Sequence, residues 1–260
     1  MTGRCEDSFP LRAFRSRVSY IHDHVLSRSN LNTTSLQTAM NRSQICAAID
    51  ALAVRRPVFH SEADFQHELA LQLGGMGYKV RLEKPFTLGG NTIEVDIIAS
   101  LGGKNVGLEL KYKHKTSNPV VGIDRYGEHF EVVDNWGTNL TRYDVWSDYC
   151  RMAALVAAGD IDKGYAIILT NAPLWAPPGA IMARSFSLED GLVAGLNMPW
   201  VWDGHTEEQK RRTIGTRLDP LILPFLPSQP LHWEEYTKEN NDPSPIIHTL
   251  GHYRYLPIET

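Results

Sequence analysis

Two double-glycine turns set three extended runs in a row. Leu88-Gly89-Gly90-Asn91 separates YKVRLEKPF from TIEVDIIAS, and Leu101-Gly102-Gly103-Lys104 separates TIEVDIIAS from NVGLELKYK. Glycine reaches the positive φ values that tight hairpin turns need. Extended runs bounded by such turns predict a meander of three antiparallel strands. Helical patterns lie on both sides of the meander, so the expected class is α/β with a central mixed sheet.

Strand alternation then sorts the side chains. In the third run Leu108, Leu110 and Tyr112 take one face, and Glu109, Lys111 and Lys113 the other. In the second run Ile93, Val95 and Ile97 share a face opposite Glu94, Asp96 and Ile98. The hairpin brings Asp96 close to Glu109, and Lys111 is one pleat, roughly 7 Å, from Glu109. Two carboxylates this close repel unless a positive charge sits between them. Oxygen ligands suit a hard cation, and Mg²⁺ typically takes one or two protein carboxylates plus waters and phosphate. Such an ion acidifies a bound water, and a nearby lysine can orient that water or neutralise charge on a phosphate. The plainer alternative is a solvated strand face with an Asp96–Lys111 pair. Against it, Asp96 is flanked by Val95, Ile97 and Ile98, and a buried unpaired carboxylate is costly.

The flanking elements follow from periodicity and punctuation. LRAFRSRVSYIHDHVL and SQICAAIDALAVRR read as helices joined by a polar linker, the second ended by Pro57. Ser61 with Asp64 makes a capping pattern for a helix carrying Phe65, Leu69, Leu73 and Met76 on one face, closed by Gly74, Gly75 and Gly77. Residues 114–139 are polar and read as a loop containing a short helix, with His114 at an exposed tip. Thr141 and Asp144 repeat the capping pattern before a long helix with Tyr143, Trp146, Cys150, Ala153 and Ala157 on one face. KGYAIILTN reads as a buried strand parallel to a neighbour. Toward the C-terminus WVWDG, PLHWEEY and HYRYLPI are strand candidates between proline-rich stretches. Three segments are expected: a helical N-terminal extension at 1–56, an α/β core at 57–175 and a β-rich C-terminal extension at 176–260.

Composition narrows the function classes. Cys5, Cys46 and Cys150 are odd in number and far apart, which argues against a disulfide framework and suggests a reducing, cytoplasmic setting. No apolar run is long enough to span a membrane. His22 and His24 form an isolated HxH, more often structural than metal-binding. The net charge of −4 counts mildly against sequence-blind nucleic-acid binding. Lys104, Lys111, Lys113 and Lys115 nevertheless cluster around the hairpin. Trp200, Trp202 and Trp233 fit core packing better than base stacking.

The order helix, three-strand meander, helix, strand, with Asp96 in the second strand and Glu109-x-Lys111 in the third, resembles the PD-(D/E)xK nuclease superfamily, the restriction-endonuclease-like fold. The likeness covers about residues 61–171. The residue before Asp96 is Val95 rather than the proline of the family's name. RPVFHSEADFQ, LELKYK, TRYDVWSD and GYAIILTN further resemble a bacterial group of uncharacterised proteins, which implies no substrate. The superfamily resemblance implies an Mg²⁺- or Mn²⁺-dependent endonuclease cutting DNA, with RNA left open, in restriction, repair or defence. It implies that Asp96, Glu109 and the Leu110 carbonyl hold the metal, that Lys111 positions the attacking water, and that Glu68 on the first core helix assists through a metal-bound water. Lys113, Lys115 and Arg142 are candidate phosphate contacts, with surface roles as the alternative. Double-strand cutters of this fold often work as homodimers. Two other expectations stand beside this one: a nuclease-like module that binds nucleic acid or protein without cutting, and a transcription regulator using the N-terminal helices.

Overall fold

The computed structural model describes residues 39–135, 137–194, 206, 208, 221, 227, 229–237 and 244–260. The helix expected at the N-terminus, His22, His24, Trp200 and Trp202 lie outside them. Six strands form one sheet: β1 (Lys79–Leu88), β2 (Asn91–Leu101), β3 (Lys104–Lys113), β6 (Lys163–Thr170), β8 (Arg254–Glu259) and the two-residue β7 (Glu234–Glu235), in the order β1-β2-β3-β6-β8-β7. The β3–β6 pair is parallel and the other pairs are antiparallel. The class is therefore α/β with a mixed sheet flanked by helices.

The expected meander is β1–β2–β3, and its turn glycines Gly89, Gly90, Gly102 and Gly103 all have positive φ. β6 is buried along nearly its whole length, as a strand covered on both faces must be. Helices α1 (Arg42–Arg55) and α2 (Glu62–Gly75) cover one face of the sheet. Ile45, Ala48, Ile49 and Leu52 of α1 join Phe65, Leu69 and Leu73 of α2 against Ile97, Leu108, Leu110, Tyr112, Ile167 and Leu169. Each large apolar side chain buried there contributes about 1.5–3 kcal/mol. The α1 start is a capping box, with Asn41 Oδ1 accepting from Gln44 N and Gln44 Oε1 accepting from Asn41 N. The α2 start is the Ser61 cap expected from sequence, with Ser61 Oγ accepting from Asp64 N at 3.1 Å.

The long helix α3 (Thr138–Ala158) covers the other face. Its approach is close because β3 and β6 each carry a glycine beneath it. A methyl group on Gly164 would lie 2.6 Å from Met152 Cβ, and one on Gly107 would lie 3.1 Å from Met152 Sδ. The helix begins at Thr138 after Gly137, which supplies no side-chain cap, so Thr141 lies one turn inside it and not at the cap.

Three other sequence readings need correction. The stretch 114–139 contains a small two-stranded sheet, β4 (Val120–Ile123) and β5 (His129–Val132), whose Phe130 and Val132 enter the α1–α2 core. His114 is not an exposed tip; it is buried edge-on against Tyr112 at 4.8 Å between ring centroids. Strict alternation also fails in β2. Val95 packs with Ile98, Met152 and Leu155 under α3, whereas Ile97, two residues on, packs under α1 and α2. β1 inverts at the same level: Val80 and Leu82 face the α1–α2 core, and Phe86 faces the α3 side. The hairpin thus turns over between its two halves, and the residue at the inversion in β2 is Asp96. The C-terminal HYRYLPI run is strand β8, seated between β6 and β7, preceded by the short helix α4 (Pro245–Leu250).

Candidate active site

The site forms where β2 and β3 part. Their ladder is continuous from Leu101–Lys104 to Ile97–Leu108 and stops there. One step further, Asp96 stands opposite Glu109. Past that point the N–H groups of Leu110 and Tyr112 have lost their strand partner, and a buried N–H without an acceptor is costly. Carboxylates replace the missing strand. Leu110 N donates to Asp96 Oδ2 at 2.6 Å, and Tyr112 N donates to Glu62 Oε2 at 2.8 Å. Glu62 is the first residue of α2, so the helix delivers its N-terminal turn to this open edge.

Glu109 and Lys111 project toward α3, as alternation predicts. The helix meets them with Asp148 and Arg151, one turn apart. Lys111 Nζ lies 2.9 Å from Asp148 Oδ2 and 3.8 Å from Glu62 Oε1, and donates to the Leu110 carbonyl at 3.1 Å. Arg151 Nη2 donates to Glu109 Oε2 at 3.1 Å and to Asp148 Oδ1 at 2.5 Å. Four acids and two bases thus share one end of the sheet.

The electrostatics show strain. Glu109 is only 2% exposed, and its Oε1 is buried without a hydrogen-bond partner among the described residues. Burial, reinforced by Asp148, pushes its carboxyl far above the usual carboxylate range, and Arg151 only partly offsets this. Asp96 is pushed up to about 6 by burial, against the lowering effect of the Leu110 N–H and Lys111. Burial works against the Lys111 ammonium, but Asp148 and Glu62 outweigh it and raise its pKa. Arg151 is held charged in the same way by Asp148 and Glu109.

Asp96, Glu109, the Leu110 carbonyl and Lys111 are therefore brought together. Glu68 is not part of this cluster; it pairs with Arg56 at 3.5 Å, within a network that includes Asp64 and Glu128. Six residues of helix carry it about 9 Å along the axis from Glu62. Lys113 continues the Glu109–Lys111 face at the end of β3. Lys115 is anchored through its backbone, its N–H donating to Asn171 Oδ1 at 2.8 Å and its carbonyl accepting from Asn171 Nδ2 at 3.1 Å. Arg142 is no surface residue: it is 1% exposed and donates to the Ala176 carbonyl at 2.8 Å.

Sequence reasoning missed Glu62, Asp148 and Arg151. The signal for the latter two was present in TRYDVWSDYCRM, where Asp148 falls at helical spacing from the apolar Val145 and Met152, with Arg151 one turn on. Glu62 was hidden because an acid in a first helical turn has a sufficient explanation in the helix dipole.

Could this arrangement hold a divalent cation? Among the described residues no group of three or more His, Cys, Asp or Glu side chains forms a protein-only cage. Mg²⁺ does not require one, since it usually keeps several waters and takes one or two carboxylates. The unpartnered Glu109 Oε1, the second oxygen of Asp96 and the Leu110 carbonyl are all hard oxygen donors. They fit such an ion, with Arg151 competing for the same carboxylate. Comparisons with protein-family models, with curated proteins and with solved structures give no match.

Proposed function

We propose that the protein is a Mg²⁺- or Mn²⁺-dependent nuclease that hydrolyses DNA phosphodiester bonds, on a restriction-endonuclease-like core. The observation that carries this reading is the meeting of Asp96 and Glu109 just past the end of the β2–β3 ladder, beside Lys111, with Glu109 Oε1 buried and unpartnered. A catalytic site is where buried acids and bases with strongly shifted pKa values are expected to collect.

Asp96, Glu109 and the Leu110 carbonyl would hold the metal. When bound, the ion would supply an acidified water and stabilise negative charge on the phosphate. Lys111, held between Asp148 and Glu62, keeps a permanent positive charge at the same place and orients the attacking water or the phosphate oxygen. Asp148 fixes Lys111 and Arg151 together, so it positions the site without touching substrate. RNA remains an alternative substrate, and restriction, repair or defence a setting by analogy of fold.

A second reading has its own support. Lys111 is paired with Asp148, and Arg151 with Glu109, so the charges are largely neutralised internally. Such a closed ion network suits a nuclease-like module that binds nucleic acid or protein without cutting. Incubating supercoiled plasmid, single-stranded DNA and RNA with Mg²⁺ or Mn²⁺ separates the two readings. Metal-dependent cleavage that falls at least about a hundredfold in Asp96→Ala and Lys111→Ala is expected. Wild-type protein that binds but never cuts selects the second reading.

A further inference from the structure

Gln66 and Glu83 form a device beside Asp96 that metal binding and charge neutralisation leave unexplained. Glu83 stands opposite Asp96 between the pairs Leu82–Ile97 and Lys84–Val95, and the ladder skips both residues. Its φ is +48°, the left-handed region, and it is the one non-glycine residue with positive φ among those described. That conformation brings Cβ against the following carbonyl, so it persists only where the surroundings enforce it.

The Gln66 side-chain amide occupies the resulting gap. Its Nε2 donates to the Asp96 carbonyl at 2.7 Å and to Glu83 Oε1 at 2.5 Å. A primary amide has two N–H donors, and both are spent here. Gln66 is 7% exposed and next to Phe65 on the buried side of α2. A buried amide is tolerated only when it is hydrogen-bonded, so this residue type is explained by what it bonds and not by packing. On its other side Asp96 is held by Leu110 N through Oδ2. Backbone and carboxylate of one residue are thus gripped from two directions, at the level where the hairpin inverts its faces.

We propose that Gln66 and Glu83 are positioning residues for Asp96. Through the Asp96 carbonyl they keep the β1–β2 ladder open and the Asp96 carboxylate turned toward Leu110 and Glu109. This rests on the reading of Asp96 as a metal-holding residue, but the contacts themselves exist without metal and are tested without it. Two variants serve. Gln66→Ala removes the clamp. Glu83→Gly removes only its acceptor and accepts the positive φ without strain, so its thermal stability is kept or raised.

Amide exchange followed by NMR in metal-free protein reads the first consequence. Leu110 should exchange roughly tenfold or more faster in Gln66→Ala, and by a smaller factor in Glu83→Gly, while Ile98 to Gly107 keep wild-type protection. Titration calorimetry with Mn²⁺ alone reads the second, an affinity about 10- to 100-fold weaker in Gln66→Ala. Unchanged exchange at Leu110, or a uniform loss of protection across β2 and β3, overturns the proposal. So does wild-type Mn²⁺ affinity in Gln66→Ala. If wild-type protein takes up no Mn²⁺ but Leu110 still loses protection in Gln66→Ala, the positioning role stands and the metal role of Asp96 falls.

Discussion

Burial holds the Asp96 carboxyl near pH 6 and that of Glu109 higher still, and the sign of the consequence is fixed by linkage. An acid whose pKa is raised on folding favours the fold when protonated. That advantage is complete below about pH 4 and is lost as pH rises through about 6 for Asp96, with Glu109 extending the loss upward. For Asp96 it amounts to roughly 1–2 kcal/mol after allowing for solvent screening. Metal-free protein should therefore unfold at progressively lower temperature as pH rises from 4 toward 9. Asp96→Asn should flatten the pH 4–6 part of that curve, and an unaltered slope in this variant rules the assignment out. Mn²⁺ should raise the unfolding temperature at pH 8 far more than at pH 5, because the ion needs the ionised carboxylates. Two helical acids, Glu68 on α2 and Asp148 on α3, make a sharper contrast. Glu68→Ala loses a long, partly exposed pair with Arg56, which keeps Asp64 and Glu128, and should cost under about 1 kcal/mol with cleavage intact. Asp148→Ala leaves Lys111 and Arg151 without their shared partner and should cost about 3–5 kcal/mol, read by denaturant titration. Equal effects of these two substitutions would contradict the placement of the site.

At the scale of elements, the meander, the parallel strand and the Ser61-capped helix were legible because each rests on local rules: double-glycine turns, a short apolar run and a capping pattern. The position of Asp96 was legible too, but for an incomplete reason. Alternation in a regular strand would have sent it to one face of the sheet; the structure interrupts the pattern at Asp96 and leaves its carboxylate on the Leu110 N–H. No periodicity signals such an inversion, since it depends on Glu83 in the neighbouring strand and Gln66 in a helix. Asp148 and Arg151 were obscure for the related reason that their partners lie on another element. The packing of α3 on β3 and β6 is the element-scale determinant of the site. Gly164→Ala sets a methyl group against the Met152 Cβ, which has no freedom to swing aside, whereas Gly107→Ala meets the flexible ends of Ile161 and Met152. Gly164→Ala should cost about 1–3 kcal/mol and lower any cleavage rate, with Gly107→Ala the milder of the two. The reverse order in thermal melts would mean that α3 is not seated as described.

Over the whole molecule, the sheet is completed from far along the chain. β8 pairs with β6, covering Tyr165 to Thr170, and its Tyr255, Leu256 and Ile258 supply core to both faces. Removing residues 254–260 should therefore abolish cooperative unfolding, not merely weaken it, as followed by circular dichroism; a truncated chain that still melts cooperatively would show that β8 is dispensable. From sequence, HYRYLPI is a strand candidate in a β-rich extension of the core, but nothing in it names the strand it will pair with. The seating of β8 also bears on synthesis. A nascent chain that has emerged through Thr170 already holds every acid and base of the site, yet β6 still presents a bare edge to solvent or to another nascent chain. At about 5–20 residues per second the missing strand follows only after several seconds. During translation, then, the residues of the candidate site precede the strand that closes the sheet, and the exposed edge of β6 is the place where a holding chaperone would have most to protect.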